Sequence, residues 1–236
     1  MKQLSLILFL FNTIFVAAQT VNQFDDNGKR HGIWKKNFEG TKVLRYEGQF
    51  NHGKEIGTFK FYKNIRGKAV LTASKAFNEL DNKADVKFFS SKGKLISEGP
   101  MDGKKYIGEW KYYHNNSDKI MTLEFYNDKG NLHGEKYVYY SNGRMAEKQN
   151  YVDGKLEGEA IWYSIKNVVL KHFIYVNDEL HGVSKYYNSK GELVAEGRYK
   201  LGKKHGIWKY YENGKLIEEK DFTPKSKYKK KKKLPN

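Results

Sequence analysis

Eight segments of this chain repeat one pattern: a Gly, a strand-like run ending in aromatics, and a turn. Seven of them keep the Gly, as GIWKKN at Gly32, GTFKFY at Gly57, GEWKYY at Gly108, GEKYVYY at Gly134, GEAIWY at Gly158, GVSKYY at Gly182 and GIWKYY at Gly206. The eighth, ADVKFF, carries Ala84 in the Gly place, and the last four anchors fall 24 residues apart. Self-similarity at this period signals an array of one supersecondary unit, in which each unit is stabilised by stacking on its neighbours. Eight copies over residues 20–222 leave no room in a chain of 236 residues for a second domain.

Each copy reads as a β-hairpin. In the last one, Gly206–Tyr211 and Leu216–Phe222 flank Asn213-Gly214, and an Asn-Gly pair between two alternating runs predicts a type I′ turn with positive φ at both residues. A second connection joins one hairpin to the next. It recurs as His52-Gly53-Lys54, Asp102-Gly103-Lys104, Asp153-Gly154-Lys155 and Leu201-Gly202-Lys203.

Strand periodicity sends the third and fifth places of each first strand (Trp34; Phe59 and Phe61; Val86 and Phe88; Trp110 and Tyr112; Trp208 and Tyr210) to one face. The sixth place, aromatic as Tyr62, Phe89, Tyr113, Tyr139, Tyr163, Tyr187 and Tyr211, points to the other. The second strand ends on an aromatic seven or eight residues before the next anchor, as at Phe50, Phe77, Tyr126, Tyr151, Tyr175 and Tyr199. The expected fold is therefore all-β: an elongated, open antiparallel sheet of about eight tandem hairpins. Sixteen strands would span roughly 75 Å. The copy starting at Gly108 is longer than the copies that follow it, which leaves the register of the third and fourth repeats open.

The two termini depart from the repeat. Residues 1–18 begin with a basic start, run through an apolar stretch from Leu4 to Val16 and end in Val16-Ala17-Ala18, the pattern of a secretory signal peptide cleaved before Gln19. The apolar run is short of the ~20 residues a spanning helix needs. An exported protein is expected, located in the periplasm, at the cell envelope or outside the cell. With no Cys in the chain, disulfide and thiolate chemistry are excluded. Residues 223–236 form a Lys-rich tail without apolar periodicity, expected to be disordered. Lys225, Lys227, Lys229, Lys230, Lys231, Lys232 and Lys233 supply seven of the positive charges behind a formal net charge of +17. They are the candidate binding residues, suited to anionic envelope polymers or lipid headgroups, while export argues against nucleic acid.

The segment Tyr46-Glu47-Gly48-Gln49-Phe50, with the GxWKYY-x-NGKL-x-x-E-x-x-Y-x-x-GK-x-x-G rhythm, resembles the MORN (membrane occupation and recognition nexus) repeat. More closely, it is similar to the second MORN variant, as in the YwqK-type family of antitoxin components of toxin-antitoxin modules. The resemblance covers about residues 20–222. It implies a scaffold or a partner-binding or lipid-associated surface, with an antitoxin that neutralises a toxin by direct binding as the alternative.

Catalytic signals are sparse. His31, His133, His181 and His205 each precede a Gly anchor, but equivalent positions in neighbouring repeats lie about 10 Å apart, too far to share a metal ion, and a turn role is the simpler account. Glu47, Glu98, Glu147, Glu196 and Glu218 recur before the second-strand aromatic, and carboxylate pairs raise a carbohydrate-active enzyme as a third reading. Lys in the fourth place of six copies (Lys35, Lys60, Lys87, Lys111, Lys185, Lys209) makes cross-strand Glu to Lys pairing the simpler expectation. The sequence has no nucleophile elbow, phosphate-binding loop, zinc-protease motif or dinucleotide fingerprint. The reading is a non-enzymatic binding or scaffold protein without a cofactor, its partner most naturally another protein.

Overall fold

The computed structural model describes residues 20–225. Over this span the chain is all-β. A two-residue strand β1 (Gln23–Phe24) precedes hairpins β2/β3 (Arg30–Asn37, Leu44–Asn51), β4/β5 (Lys54–Ile65, Lys68–Phe77) and β6/β7 (Lys83–Phe89, Leu95–Asp102). The fourth hairpin has a split first strand, β8 (Lys105–Tyr106) and β9 (Gly108–Tyr113), followed by β10 (Ile120–Tyr126). Next come β11/β12 (Gly134–Tyr139, Met145–Val152) and β13/β14 (Lys155–Tyr163, Val169–Val176). The seventh is again split, as β15 (Glu179–Leu180), β16 (Gly182–Tyr187) and β17 (Leu193–Lys200), and β18/β19 (Lys203–Glu212, Lys215–Asp221) closes the array. The eight expected hairpins are all present. The count of nineteen strands exceeds sixteen through three two-residue pieces, two of which are first strands interrupted just before their Gly anchor.

Successive strands pair antiparallel, the short pieces β8 and β15 sharing their partners β7 and β14 with β9 and β16, and among the described residues β19 pairs only with β18. The sheet is open. Its turns are distributed differently from the sequence expectation. Positive φ at both central residues occurs at Asn213-Gly214 and Arg66-Gly67 within hairpins, but also between hairpins at His52-Gly53, Asp153-Gly154, Asn177-Asp178 and Leu201-Gly202. Most turns inside the repeats instead close a longer loop with a single left-handed residue, such as Gly93, Gly143 or Gly191. The extra length of the fourth copy is settled in the same way. Between Tyr126 and Gly134 the two-residue connection gives way to a loop in which the Asn127 amide donates to the Asn131 carbonyl.

The anchors sit opposite the second-strand aromatics: Gly32 faces Phe50, Gly57 faces Phe77, and Gly134, Gly158 and Gly182 face Tyr151, Tyr175 and Tyr199. Each Gly anchor has positive φ, so the left-handed backbone rather than lack of space selects Gly there. Lack of space selects Gly at other positions. At Gly99 an added Cβ would lie 2.6 Å from the Trp110 ring, and at Gly48 and Gly197 it would collide with Phe59 and Trp208.

These contacts belong to one rule that holds at six of the seven seams between hairpins. There the third-place residue lies against one residue of the preceding second strand, and the two are complementary in size. Phe59, Trp110 and Trp208 rest on Gly48, Gly99 and Gly197, whereas the small Val86, Ala160 and Ser184 stand beside Lys75, Gln149 and Phe173. Filling the same space either way keeps a single-layer sheet close-packed without a second layer. Phe59, Val86, Trp110, Ala160, Ser184 and Trp208 are accordingly the most deeply buried residues of their repeats. The two central indoles also bond to backbone, with Trp110 Nε1 donating to the Pro100 carbonyl at 2.9 Å and Trp208 Nε1 to the Arg198 carbonyl at 3.1 Å.

The interlock makes a quantitative expectation. Trp208→Ala should cost about 3–5 kcal/mol in urea unfolding, and Gly197→Ala about 1–3 kcal/mol through overpacking. In the Trp208→Ala background the Gly197→Ala penalty should vanish, since the ring it collides with is gone. Additive losses in the double mutant would refute the pairing.

Candidate binding surface

The face opposite the core carries a continuous row of one side chain per strand. From β2 to β19 it reads Lys35, Glu47, Lys60, Ser74, Lys87, Glu98, Lys111, Leu123, Tyr137, Lys148, Ile161, His172, Lys185, Glu196, Lys209, Glu219, each residue paired across to the next. Three of the carboxylates, Glu47, Glu98 and Glu196, are flanked on both sides by Lys. Strand alternation produces this arrangement: the residue after each core-facing third place must point outward.

The sixth-place tyrosines of the following repeat reach over this row. Tyr62 donates to Glu47 at 2.7 Å, Tyr113 to Glu98 at 2.5 Å and Tyr211 to Glu196 at 2.9 Å. Lys35 and Lys87 approach the same carboxylates at 3.5 and 3.1 Å. The tyrosine hydroxyl, seconded by the neighbouring Lys, holds the Glu47 and Glu98 carboxyls below their ordinary range. Partial burial and the carboxylate raise Tyr62 and Tyr113 to about 12. Glu47 and Glu98 are thus held in their charged form at neutral pH, with the Lys35 and Lys87 side chains about half exposed. Two equivalent shallow grooves lie on it, about 350 Å³ between Lys35, Glu47, Gln49, Thr58 and Lys60, and about 430 Å³ between Asp85, Lys87, Glu98, Glu109 and Lys111. Their central carboxylates are four strands apart, about 19 Å.

Glu147 and Glu218 do not belong to this row. Glu147 pairs opposite Trp162 and Glu218 opposite Tyr210, both on the core face. The residues that take their expected places are Lys148 and Glu219. A one-residue offset in a strand reverses the face, so an acidic residue one step out of phase cannot be assigned by its distance from an aromatic alone.

Around Glu147 the core face turns polar. Lys136 fills the third place of its repeat and pairs with the buried Glu124 at 3.1 Å, where three other copies use an aromatic on a Gly. Tyr126 donates to Glu124 at 2.7 Å and Tyr151 to Gln149 at 3.0 Å. Desolvation raises the Glu147 carboxyl above its ordinary value, only partly offset by the charge of Lys136. Glu124 is thereby ion-paired with Lys136, while Glu147 meets the same Lys only through its longer-range charge.

The anchor-preceding His residues have turn roles in two copies. The His52 and Asp153 amides of the next turn approach Nδ1 of His31 and His133 at 3.4 Å. Among the described residues no three His, Asp or Glu side chains gather into a metal-holding group. Of the seven tail lysines, Lys225 is exposed and outside any strand, and Lys227 and Lys229–Lys233 lie outside the described residues, as does the expected signal segment.

The raised Glu147 carboxyl predicts a pH-dependent effect. Folding favours its protonated form, so its contribution is intact below the ordinary value of 4.5 and is lost as pH rises through the higher folded value. Glu147→Gln should therefore stabilise the protein at neutral pH and leave it nearly unchanged at about pH 4. Equal effects at both pH values in urea unfolding would refute the assignment.

Three stretches of the chain, residues 132–153, 180–201 and 204–223, match the MORN repeat variant. They fall on the fifth, seventh and eighth hairpins, and the other five share the architecture. No curated protein matches. A crystal structure of a protein of unknown function from Bacteroides fragilis aligns with 75% of this chain and 96% of its own at 8% identity, with a TM-score of 0.14. MORN variant repeats in an open all-β sheet are consistent with a repeat scaffold or binding protein.

Proposed function

We propose that this chain is an exported, non-enzymatic scaffold that binds a protein partner along the outer row of its sheet. The observation that carries the reading is the row itself: seven Lys and four Glu in single file, with hydroxyls and neighbouring charges fixing the carboxylates. A charged ladder of this kind favours selectivity and fast encounter, and its half-exposed tyrosines supply contact area. The opposite face is less charged, with deeply buried third-place residues beside half-buried aromatics.

The Lys tail provides a second, electrostatic contact with an anionic envelope polymer or headgroup, each Lys near such a surface contributing roughly 1 kcal/mol. Export is read from the pattern of residues 1–18, and neutralisation of a toxin in the cytoplasm is the competing role.

Three measurements separate these readings. Intact-mass analysis of exported protein should begin at Gln19, and full-length chain retained in the cytoplasm would favour the antitoxin role. Pull-down from an envelope extract should recover a partner with the wild type and lose it with the Lys60→Glu/Lys87→Glu/Lys111→Glu variant. Retention of the same partner by that variant would remove the outer row from the interface. Deleting residues 223–236 should spare the fold and the partner while weakening binding to anionic vesicles, and unchanged vesicle binding would reduce the tail to a solubilising segment.

A further inference from the structure

The two ends of the sheet are finished differently. At the first strand, the chain folds a short cap over the edge: Gln23 and Phe24 pair with His31 and Arg30, Asn22 Oδ1 accepts from the Lys35 amide at 2.8 Å, and Phe24 packs edge-on against Trp34. This cap imitates the end of a preceding second strand, since Trp34 Nε1 donates to the Gln23 carbonyl as Trp208 Nε1 does to that of Arg198. At the other end β19 has no cap among the described residues. Every one of its residues is exposed, including Leu216 at 50% and Ile217 at 61%, whereas their counterparts Leu193 and Val194 in β17 are half-buried under the next hairpin.

Inside the array, a second strand receives three things from the strand that follows it. Its outer Glu gains a second Lys across the ladder and a Tyr hydroxyl from two residues further on, as at Glu47, Glu98 and Glu196. Its core-face residue meets a third-place side chain of complementary size. In β19 the corresponding residues are Glu219, which has Lys209 on one side at 3.9 Å and an open ladder on the other, and Lys220, which stands where Gly197 stands in β17.

We propose that the free side of β19 docks an extended segment of a partner protein by strand addition, and that β19 dictates the segment's pattern. A small residue must face Lys220, because the other Lys in that position, Lys75, is matched by Val86 rather than by an aromatic. The next residue is Lys or Arg, facing Glu219, and the residue two beyond it is Tyr, whose hydroxyl reaches the same carboxylate. Backbone pairing along an exposed edge supplies the affinity and these side chains the selectivity. A second copy of this chain does not fit. Its own first strand brings Trp34 to the place where a small residue is required, and the cap covers that edge.

This interface lies on the free edge of β19 and shares only Glu219 with the outer row proposed above, so row residues remote from that edge tell the two proposals apart. The probe is a synthetic peptide of residues 180–189, LHGVSKYYNS, which offers Ser184, Lys185 and Tyr187 at the three required places. Hydrogen exchange of the purified mature protein should show the peptide slowing amides of Lys215–Asp221 saturably at up to about millimolar concentration. Glu219→Lys, an exposed substitution that leaves the interlock untouched, should weaken the effect about tenfold, as should a Ser184→Trp peptide. Lys60→Glu, on the outer row, should leave peptide binding unchanged. Absence of protection in β19, or protection indifferent to both Glu219→Lys and Ser184→Trp, would overturn the proposal and leave the charges of this edge as protection against aggregation.

Discussion

A sheet of one layer has to build its core from the side chains of a single face, and here that requirement is met by a size exchange across six of the seven seams between hairpins. Where a second strand offers Gly, the following strand fills the space with Phe or Trp; where it offers Lys, Gln or Phe, the following strand retreats to Val, Ala or Ser. The seam between the fourth and fifth hairpins solves the same problem with charge, placing Lys136 beside Glu124. Removing one partner of a buried pair is costly, because the remaining charge stays desolvated. The array therefore tolerates divergence at a core position only when its seam partner changes as well.

Much of this fold was legible from sequence. The repeat, the hairpins, the open sheet and the division of aromatics between faces follow from period and alternation, and Trp110 and Trp208 are buried as those patterns require. The seam pairs were not legible in the same way, because each joins residues of different repeats and a consensus averages them out. Gly99 looks like any small residue until Trp110 is seen lying on it. The same limit explains Glu147 and Glu218. Spacing from an aromatic places a residue within about one position, and in a strand one position is the difference between the two faces.

The outer row was legible in its parts: Lys in the fourth place, Glu in the second strand and Tyr in the sixth place were each recognisable as recurrent. Their convergence was not, since Tyr113 and Glu98 belong to successive hairpins and meet only because Glu98 pairs across the seam with Lys111, two residues before the tyrosine on the same face. One interaction then does two tasks. The hydroxyl to carboxylate bond ties adjacent hairpins together on the outside, as the size exchange does on the inside, and it fixes the orientation of the charge that a partner would meet.

The faces consequently divide the work. The core face buries most of its third-place residues, while its fifth-place aromatics, such as Phe61, Tyr112 and Tyr210, are only half-buried. The outer face carries charge at regular intervals on a framework held from both sides, and its middle strands break the alternation with Leu123, Tyr137 and Ile161. That interruption separates Glu98 from Glu196 by eight strands, about 38 Å. A partner spanning the face would meet two charged regions divided by a mixed stretch of Leu123, Tyr137, Lys148, Ile161 and His172, rather than one uniform ladder. Such non-uniformity lets an array of similar hairpins specify the position and orientation of what it holds, because sliding by one repeat would set charge against the apolar residues and forfeit the pairing.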